Sequence, residues 1–157
     1  MGKIADRLAR MGLVLPPPLV LPGKNRTSAV RVDGLLFVSG HGAQLLEADA
    51  VAKRGKLGRE LTVEQGYAAA RALALKMMAT LQHHLGDLDR VRRVVKLVAM
   101  VNAVPEFEKH NLVANGASDL FFEVFGEEIG CHARSSLGVS GLVGDQSVEV
   151  EGVFAVD

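Results

Sequence analysis

The chain has 157 residues, the size of one ordinary domain, and 48% of them are hydrophobic while 23% are charged. This composition is typical of a globular protein and excludes a disordered or fibrous chain. The 18 basic and 18 acidic residues cancel, which argues against a basic nucleic-acid-binding surface. Because Cys131 is the single cysteine, an internal disulfide and a cysteine-rich metal site are excluded as well.

The first 26 residues are predicted to form a short helix and a proline-rich extension of a single domain that spans 1–157. Ile4, Leu8 and Met11 recur at helical spacing, and three consecutive prolines follow. Charged side chains and these prolines interrupt each apolar run before it reaches the ~18 residues of a membrane span. We therefore expect a cytoplasmic protein with neither a signal peptide nor a membrane segment.

Residues 28–39 predict a β-hairpin. Two short β-branched runs flank Asp33-Gly34, a dipeptide that favours a tight turn. The segment from Glu47 to Arg59 is polar and basic, contains two glycines and shows no clear period. This composition indicates a mobile surface loop.

Two long helices are predicted on either side of a central strand. Thr62 and Gln65 stand at the capping-box positions of a helix that continues to Leu85 with one apolar stripe. A β-branched run at 91–101 predicts the strand. Residues 107–125, with room for a turn before the helix, recover helical spacing until Gly126 ends it.

Strands over 131–139 and 147–156 complete the order β-β-α-β-α-β-β. In the last strand the valines and Phe154 face one way, and Glu149 and Glu151 face the other. This order predicts an α+β sandwich in which helices cover one face of a mixed sheet. Since two strands carry apolar residues on both faces, we expect another copy of the chain to cover the second face.

The familiar nucleotide, metal and nucleophile motifs are absent from the chain. It contains no Walker loop, GxGxxG, HExxH, CxxC or GxSxG. Of the five histidines, only His83 and His84 are close in sequence, and neighbouring helix positions point too far apart to share one ion. We expect neither a metal nor an organic cofactor.

Arg134 is the most informative polar residue, because a guanidinium in a predicted strand needs either solvent or a carboxylate. Its planar fork suits bidentate capture of a ligand's carboxylate. An ion pair with Glu149 or Glu151 of a neighbouring strand is the alternative. The two glutamates share a strand face, so one of them is either a proton acceptor or simply solvated.

Five segments in order, over most of the chain, carry a resemblance to a known family. They are LLFVSGHGAQ (35–44), the long helix from Thr62, VVKLVAMVNAVPEFEKHN (94–111), HARSSLGVSGL (132–142) and VEVEGVFAV (148–156). Together they resemble the RidA/YjgF family. The N-terminal helix with its LPPP, and the passage from NGASDLFFEVFG to HARS, are similar to its endoribonuclease L-PSP branch.

The resemblance implies a chorismate-mutase-like fold and a homotrimer whose sheets form a central barrel, with ligand clefts between subunits. It also implies hydrolytic deamination of reactive enamines and imines that bear a carboxylate, which yields 2-keto acids and ammonia. On this basis Arg134 holds the substrate carboxylate and Glu151 positions the attacking water. Ser39, Ser118 and His41 are expected to complete the substrate site, where backbone N–H groups near Ser118 or Ser39 help to orient the carboxylate.

The sequence departs from the family at three points. No tyrosine occupies the segment from Lys24 to Ser28, His41 stands where glutamine is more usual, and Ser136 stands where cysteine is frequent. One wall of the cleft is therefore expected to differ. Two other functions stay open: a trimeric module that binds small carboxylates or partner proteins without turnover, and an endoribonuclease, against which the neutral charge argues.

Overall fold

The structure, a computed structural model, describes residues 2–46 and 52–157. The helices are α1 (Lys3–Arg10), α2 (Val63–Leu85) and α3 (His110–Gly130). The strands are β1 (Ala29–Val32), β2 (Leu35–Gly42), β3 (Val91–Asn102), β4 (Ala133–Val139) and β5 (Val148–Val156). The predicted order of elements is confirmed. None of the helices in these two ranges is long and apolar enough to cross a lipid bilayer.

Within the described residues, five strands form one mixed sheet in the order β1-β2-β5-β3-β4. β3 and β4 run parallel, and the other neighbouring pairs are antiparallel. The apolar sides of α2 and α3 pack on one face of this sheet, in a core that includes Leu73, Met77, Phe121 and Phe154. The predicted α+β sandwich, with two long helices on one face of a mixed sheet, is therefore confirmed.

Local signals begin and end several elements where they were predicted to do so. Asp33 adopts a left-handed φ of 51° in the turn between β1 and β2. Thr62 Oγ1 accepts a hydrogen bond from the Gln65 amide at 3.3 Å, and Gln65 Oε1 accepts one from the Thr62 amide at 2.9 Å. This capping box starts α2, and Gly86, with a φ of 79°, ends it.

The second long helix differs from the predicted range of 107–125 at both ends. Its first predicted residues form a turn in which the Phe107 amide donates to a carbonyl upstream, so α3 begins only at His110. Gly126 interrupts the helix with a φ of 79° and a ψ of 173°, as predicted, but one more turn continues to Gly130. The last turn brings the chain round to the start of β4.

The segment predicted to be a mobile surface loop is packed against the sheet where it is described. Residues 47–51 lie outside the described residues. In the remainder, Leu57 has no exposed surface, and its amide donates to the Asn102 carbonyl at 2.8 Å. The Gly55 amide donates to the Asp145 carbonyl at 2.9 Å. The prediction is wrong for 52–59 because one apolar side chain and these backbone bonds anchor a polar segment.

A carboxylate from elsewhere in the fold caps α1. Asp89 Oδ2 accepts a hydrogen bond from the Lys3 amide at 2.7 Å, and Oδ1 accepts one from the Ile4 amide at 2.8 Å. We expect Asp89→Ala to lower the free energy of unfolding by about 1 kcal/mol, because two amides lose their partner. Asp89→Asn is expected to cost less, since it keeps one of the two acceptors. Urea denaturation measures both changes, and a fully stable Asp89→Ala variant would contradict the capping role.

Candidate functional site

Arg134 lies on β4, at the edge of the sheet, and its side chain contacts α3. Nη1 donates to Asn115 Oδ1 at 2.9 Å and to Ser118 Oγ at 2.8 Å, and Nη2 donates to the Asn111 carbonyl at 3.3 Å. All three acceptors are neutral groups. The alternative of an ion pair with a glutamate of β5 is wrong, because β3 lies between β4 and β5 in the sheet.

One edge of the Arg134 guanidinium is available to a ligand. Three of its five hydrogens are used, and the Nε–H and one Nη2 hydrogen have no acceptor in the described ranges. Nε and Nη2 form an edge that matches the two oxygens of a carboxylate. Burial lowers the pKa of Arg134, and the nearby charge of Asp119 acts in the opposite direction. The cation is therefore partly desolvated, and no carboxylate among residues 2–46 and 52–157 pairs with it directly.

A cleft of about 400 Å³ lies beside this arginine, a size that suits a small molecule. Its walls come from α3 and from the connection to β4, namely Ser118, Asp119, Phe122, Gly130, Cys131 and His132. The strand predicted over 131–139 would direct Cys131 and His132 to opposite faces of the sheet. Instead both line the cleft, because they precede the first residue of β4.

A serine–histidine pair lies in the cleft. Ser118 Oγ is 2.9 Å from His132 Nε2, and His132 Nδ1 is 2.6 Å from the Gly130 carbonyl. Because a carbonyl only accepts, Nδ1 carries the proton and Nε2 accepts from the Ser118 hydroxyl. Burial lowers the pKa of His132, the hydrogen bond to Gly130 opposes this, and the charge of Arg134 adds to the decrease. Sequence spacing did not reveal the pair, since the end of α3 separates its members.

Glu151 and Ser39 lie together, but on the opposite face of the sheet from Arg134. Both line a smaller cleft of about 230 Å³ on the face that the helices leave open. The Ser39 amide donates to the Ser28 carbonyl at 2.9 Å, so it is not free to orient a carboxylate as expected. Ser118 does lie beside Arg134, through its hydroxyl rather than its helical amide. One chain therefore brings Arg134 and Ser118 together and keeps Glu151 and Ser39 apart from them.

Glu149 is more buried than Glu151 on the same strand face. Burial raises the pKa of Glu149 and the charge of Glu151 adds to the increase, while the hydrogen bond from Gln146 opposes it. Gln146 Nε2 donates to Glu149 Oε2 at 2.7 Å. A carboxyl group with a raised pKa exchanges protons closer to neutral pH. The structure therefore adds Glu149 to Glu151 as a candidate acid–base group.

His41 lies in the core and lines neither the Arg134 cleft nor the cleft beside Glu151. It has no exposed surface, its Nδ1 is 2.7 Å from the Ser39 carbonyl, and its Nε2 is 2.8 Å from Thr80 Oγ1. The expectation that His41 contacts substrate is thus corrected, because both ring nitrogens are engaged between β2 and α2. Burial lowers the pKa of His41 to about 4.

The buried His41 is expected to make the fold sensitive to acid. Below its ordinary pKa of 6.5, the unfolded chain takes a proton that the folded chain does not take until about pH 4. The stability of the protein should therefore fall as the pH drops through this window, by up to about 3 kcal/mol from this residue. His41→Gln keeps a donor and an acceptor but does not titrate. Urea denaturation at several pH values should show a shallower loss in His41→Gln, and identical pH profiles would contradict this origin.

A second and larger cleft, of about 530 Å³, lies at the ends of β3 and β4. Lys56 lines it, and its Nζ donates to Asn102 Oδ1 and to the Ser140 carbonyl, each at 2.6 Å. These bonds fasten the 52–59 segment to the sheet, which is a structural use of the cation. In 2–46 and 52–157, no three histidine, cysteine, aspartate or glutamate side chains are placed to hold one metal ion. The Arg134 cleft is therefore the stronger candidate site.

Comparison with known proteins identifies the family. Residues 5–146 match the family model described as "YjgF/chorismate mutase-like, putative endoribonuclease". The chain belongs to this family. It is also 47% identical over 157 residues to protein TCP17 of Trypanosoma cruzi, in an alignment that covers 99% of this chain and 96% of that protein.

Two solved structures are similar to this YjgF family member in both sequence and fold. Protein Atu1372 of Agrobacterium tumefaciens, described as of unknown function, is 36% identical with a TM-score of 0.85, over 98% of this chain and 94% of that one. A protein of Shewanella oneidensis, described as a putative endoribonuclease, is 29% identical with a TM-score of 0.89, over 99% and 100% of the two chains. The chorismate-mutase-like fold expected from the resemblance is confirmed.

Proposed function

We propose that this YjgF family protein hydrolyses reactive enamines or imines that carry a carboxylate, and releases 2-keto acids and ammonia. The observation that carries the proposal is the Arg134 guanidinium, which is held by neutral groups and has one free edge beside a cleft. Such an edge recognises a carboxylate in a fixed orientation. The resemblance of the HARSSLGVSGL segment to the family's carboxylate-binding strand supports the same assignment.

Arg134 holds the substrate carboxylate through Nε and Nη2. Hydrogen bonds to charged groups contribute about 1.5 to 3 kcal/mol each, and here they also fix the position of the imine carbon. A protonated imine is already electrophilic, so the reaction needs an oriented water and a proton acceptor but no metal or organic cofactor. Water adds to the imine carbon and Glu151 takes its proton, which then returns to nitrogen. The C–N bond breaks to release ammonia, and the hydroxyl gives its proton to Glu151, which leaves the keto group. Glu149, with its raised pKa, is the second candidate for this role.

The proposed reaction requires a second copy of the chain, because Glu151 and Arg134 lie on opposite faces of one sheet. The open face carries large exposed side chains, namely Val30, Val32, Leu35, Phe37 and Leu137, each between 38% and 54% exposed. An apolar patch of this kind favours association. We propose the homotrimer in which these faces form a barrel and Glu151 of one subunit reaches the Arg134 cleft of the next.

Mixed assemblies test both parts of the proposal. Arg134→Gln and Glu151→Gln are each expected to be inactive alone. Glu149→Gln is measured beside Glu151→Gln, because Glu149 is the second candidate for the proton acceptor. When the two inactive chains are refolded together in equal amounts, about a quarter of the sites at subunit boundaries receive both native groups, and activity should return in that proportion. Ammonia release is measured on imino acids generated by an amino-acid oxidase, above the spontaneous rate.

The outcomes separate the candidate functions. No recovery in mixtures of two inactive variants would contradict a site shared between subunits. A parent protein that binds 2-keto acids but never accelerates ammonia release would be a carboxylate-binding module instead. RNA cleavage that persists through stringent purification and is lost in Arg134→Gln would favour the endoribonuclease.

A further inference from the structure

Neither Ser118 nor His132 transfers a proton or forms a bond in the proposed deamination, yet the pair meets the geometric requirements of an activated nucleophile. The separation of 2.9 Å between Oγ and Nε2 is that of a hydroxyl donating to imidazole. The Gly130 carbonyl, 2.6 Å from Nδ1, holds the ring in the tautomer whose Nε2 is basic. A nucleophile, its base and a group that orients the base are the shared components of serine hydrolases on unrelated folds.

The charges around the pair favour transfer of the hydroxyl proton. Arg134 Nη1 donates to Ser118 Oγ at 2.8 Å, which stabilises negative charge as it develops on that oxygen. Burial lowers the pKa of His132, which favours the neutral ring that can accept a proton. Asp119, which lines the same cleft, accepts a hydrogen bond from the Tyr67 hydroxyl at 2.8 Å and none from Ser118 or His132 in the described residues.

Both members of the pair are open to the cleft of about 400 Å³. The bond from Arg134 uses one lone pair of Ser118 Oγ, and the second lone pair remains for attack on an electrophile. Ser118 lies on α3 and His132 lies directly before β4, so two regular elements fix their separation. The arrangement is therefore accessible and rigid at the same time.

We propose that Ser118 is the nucleophile of an acyl-transfer site that accepts short activated esters or thioesters. Ser118 Oγ attacks the carbonyl carbon while its proton passes to His132 Nε2. The bond from the carbonyl carbon to the leaving group then breaks, and His132 returns the proton to the departing alcohol or thiol. Water hydrolyses the acyl-serine by the reverse sequence and releases a carboxylic acid. The guanidinium of Arg134 is the cation beside the developing oxyanion.

A fluorophosphonate probe tests the nucleophile directly, because it forms a bond from phosphorus to an activated serine oxygen and loses fluoride. The parent protein is expected to gain one adduct per chain at Ser118, located by peptide mass spectrometry, and to hydrolyse p-nitrophenyl acetate. His132→Gln keeps an acceptor for the Ser118 hydroxyl but has no basic nitrogen, so its labelling rate should fall by about a hundredfold. Ser118→Ala should give no adduct.

Ser140→Ala is the matched control, since Ser140 is exposed and lies outside this cleft, and it should be labelled at the parent rate. Circular dichroism establishes that each variant is folded. A parent protein without an adduct, an adduct on another residue, or equal labelling of His132→Gln would overturn the proposal. Neither the probe nor the ester carries a carboxylate or an imine, so the result is independent of the proposed deamination.

Discussion

Arg134→Lys is expected to reduce ammonia release from a carboxylate-bearing imine by about a hundredfold or more. Lysine keeps the positive charge but lacks the planar fork, so the two parallel hydrogen bonds to the substrate carboxylate are lost, at about 1.5 to 3 kcal/mol each. The decrease is expected in kcat/KM, because the bonds to the carboxylate both bind the substrate and position its imine carbon. Steady-state rates with imino acids generated in the assay measure the change.

The assembly should survive this substitution, because the Arg134 side chain contacts α3 rather than the open face of the sheet. Sedimentation of Arg134→Lys is therefore expected to match that of the parent protein. Arg92→Lys is the control, since Arg92 is an exposed strand arginine that pairs with Asp157 at 3.3 Å. Parent-level activity in Arg134→Lys would refute the role of the guanidinium as a carboxylate clamp.

Gly116→Ala is expected to destabilise the fold by about 3 kcal/mol, at the upper end for overpacking. The same change in an isolated helix stabilises it by up to about 1 kcal/mol. The sign reverses because a Cβ at Gly116 would lie 2.0 Å from the Tyr67 carbonyl oxygen and 3.0 Å from the Arg71 amide nitrogen. Both atoms belong to the backbone of α2, so α2 and α3 would have to move apart.

Gly141→Ala provides the comparison for this substitution. A Cβ at Gly141 meets no atom of the described residues within 4 Å, so the variant should keep its stability to within about 0.5 kcal/mol. Urea denaturation of both variants measures the difference. A Gly116→Ala protein as stable as Gly141→Ala would show that the close approach of the helices does not constrain this position.

Local chemistry made much of the fold predictable, and tertiary packing accounts for the parts that were not. Asp33-Gly34 and the Thr62–Gln65 capping box act on neighbouring residues, so their effects follow from sequence alone. From sequence alone, a glycine inside a helix indicates a less stable helix, and only the packed structure shows the backbone of α2 against Gly116. The burial of Leu57 could not be predicted, because the residue lies in a polar segment and is buried by contacts with the distant end of β3.

The candidate site was predictable in its residue types but not in its geometry. Arg134 could be singled out from sequence because a guanidinium in a strand needs a partner. Its orientation toward α3 could not, because it depends on the strand order and on which face of the sheet the residue occupies. A register shift between Val38 and His41 places His41 in the core, which simple alternation along the strand does not predict. His132 and Ser118 meet only because the end of α3 returns the chain to β4.

A crystal structure of the protein soaked with a small 2-keto acid such as pyruvate tests the proposed site most directly. We expect the carboxylate of the keto acid to bind Nε and Nη2 of Arg134, in a trimer where Glu151 of the adjoining subunit faces the bound carbonyl carbon. A keto acid bound elsewhere, for example beside Lys56, with the Arg134 edge left empty, would contradict it.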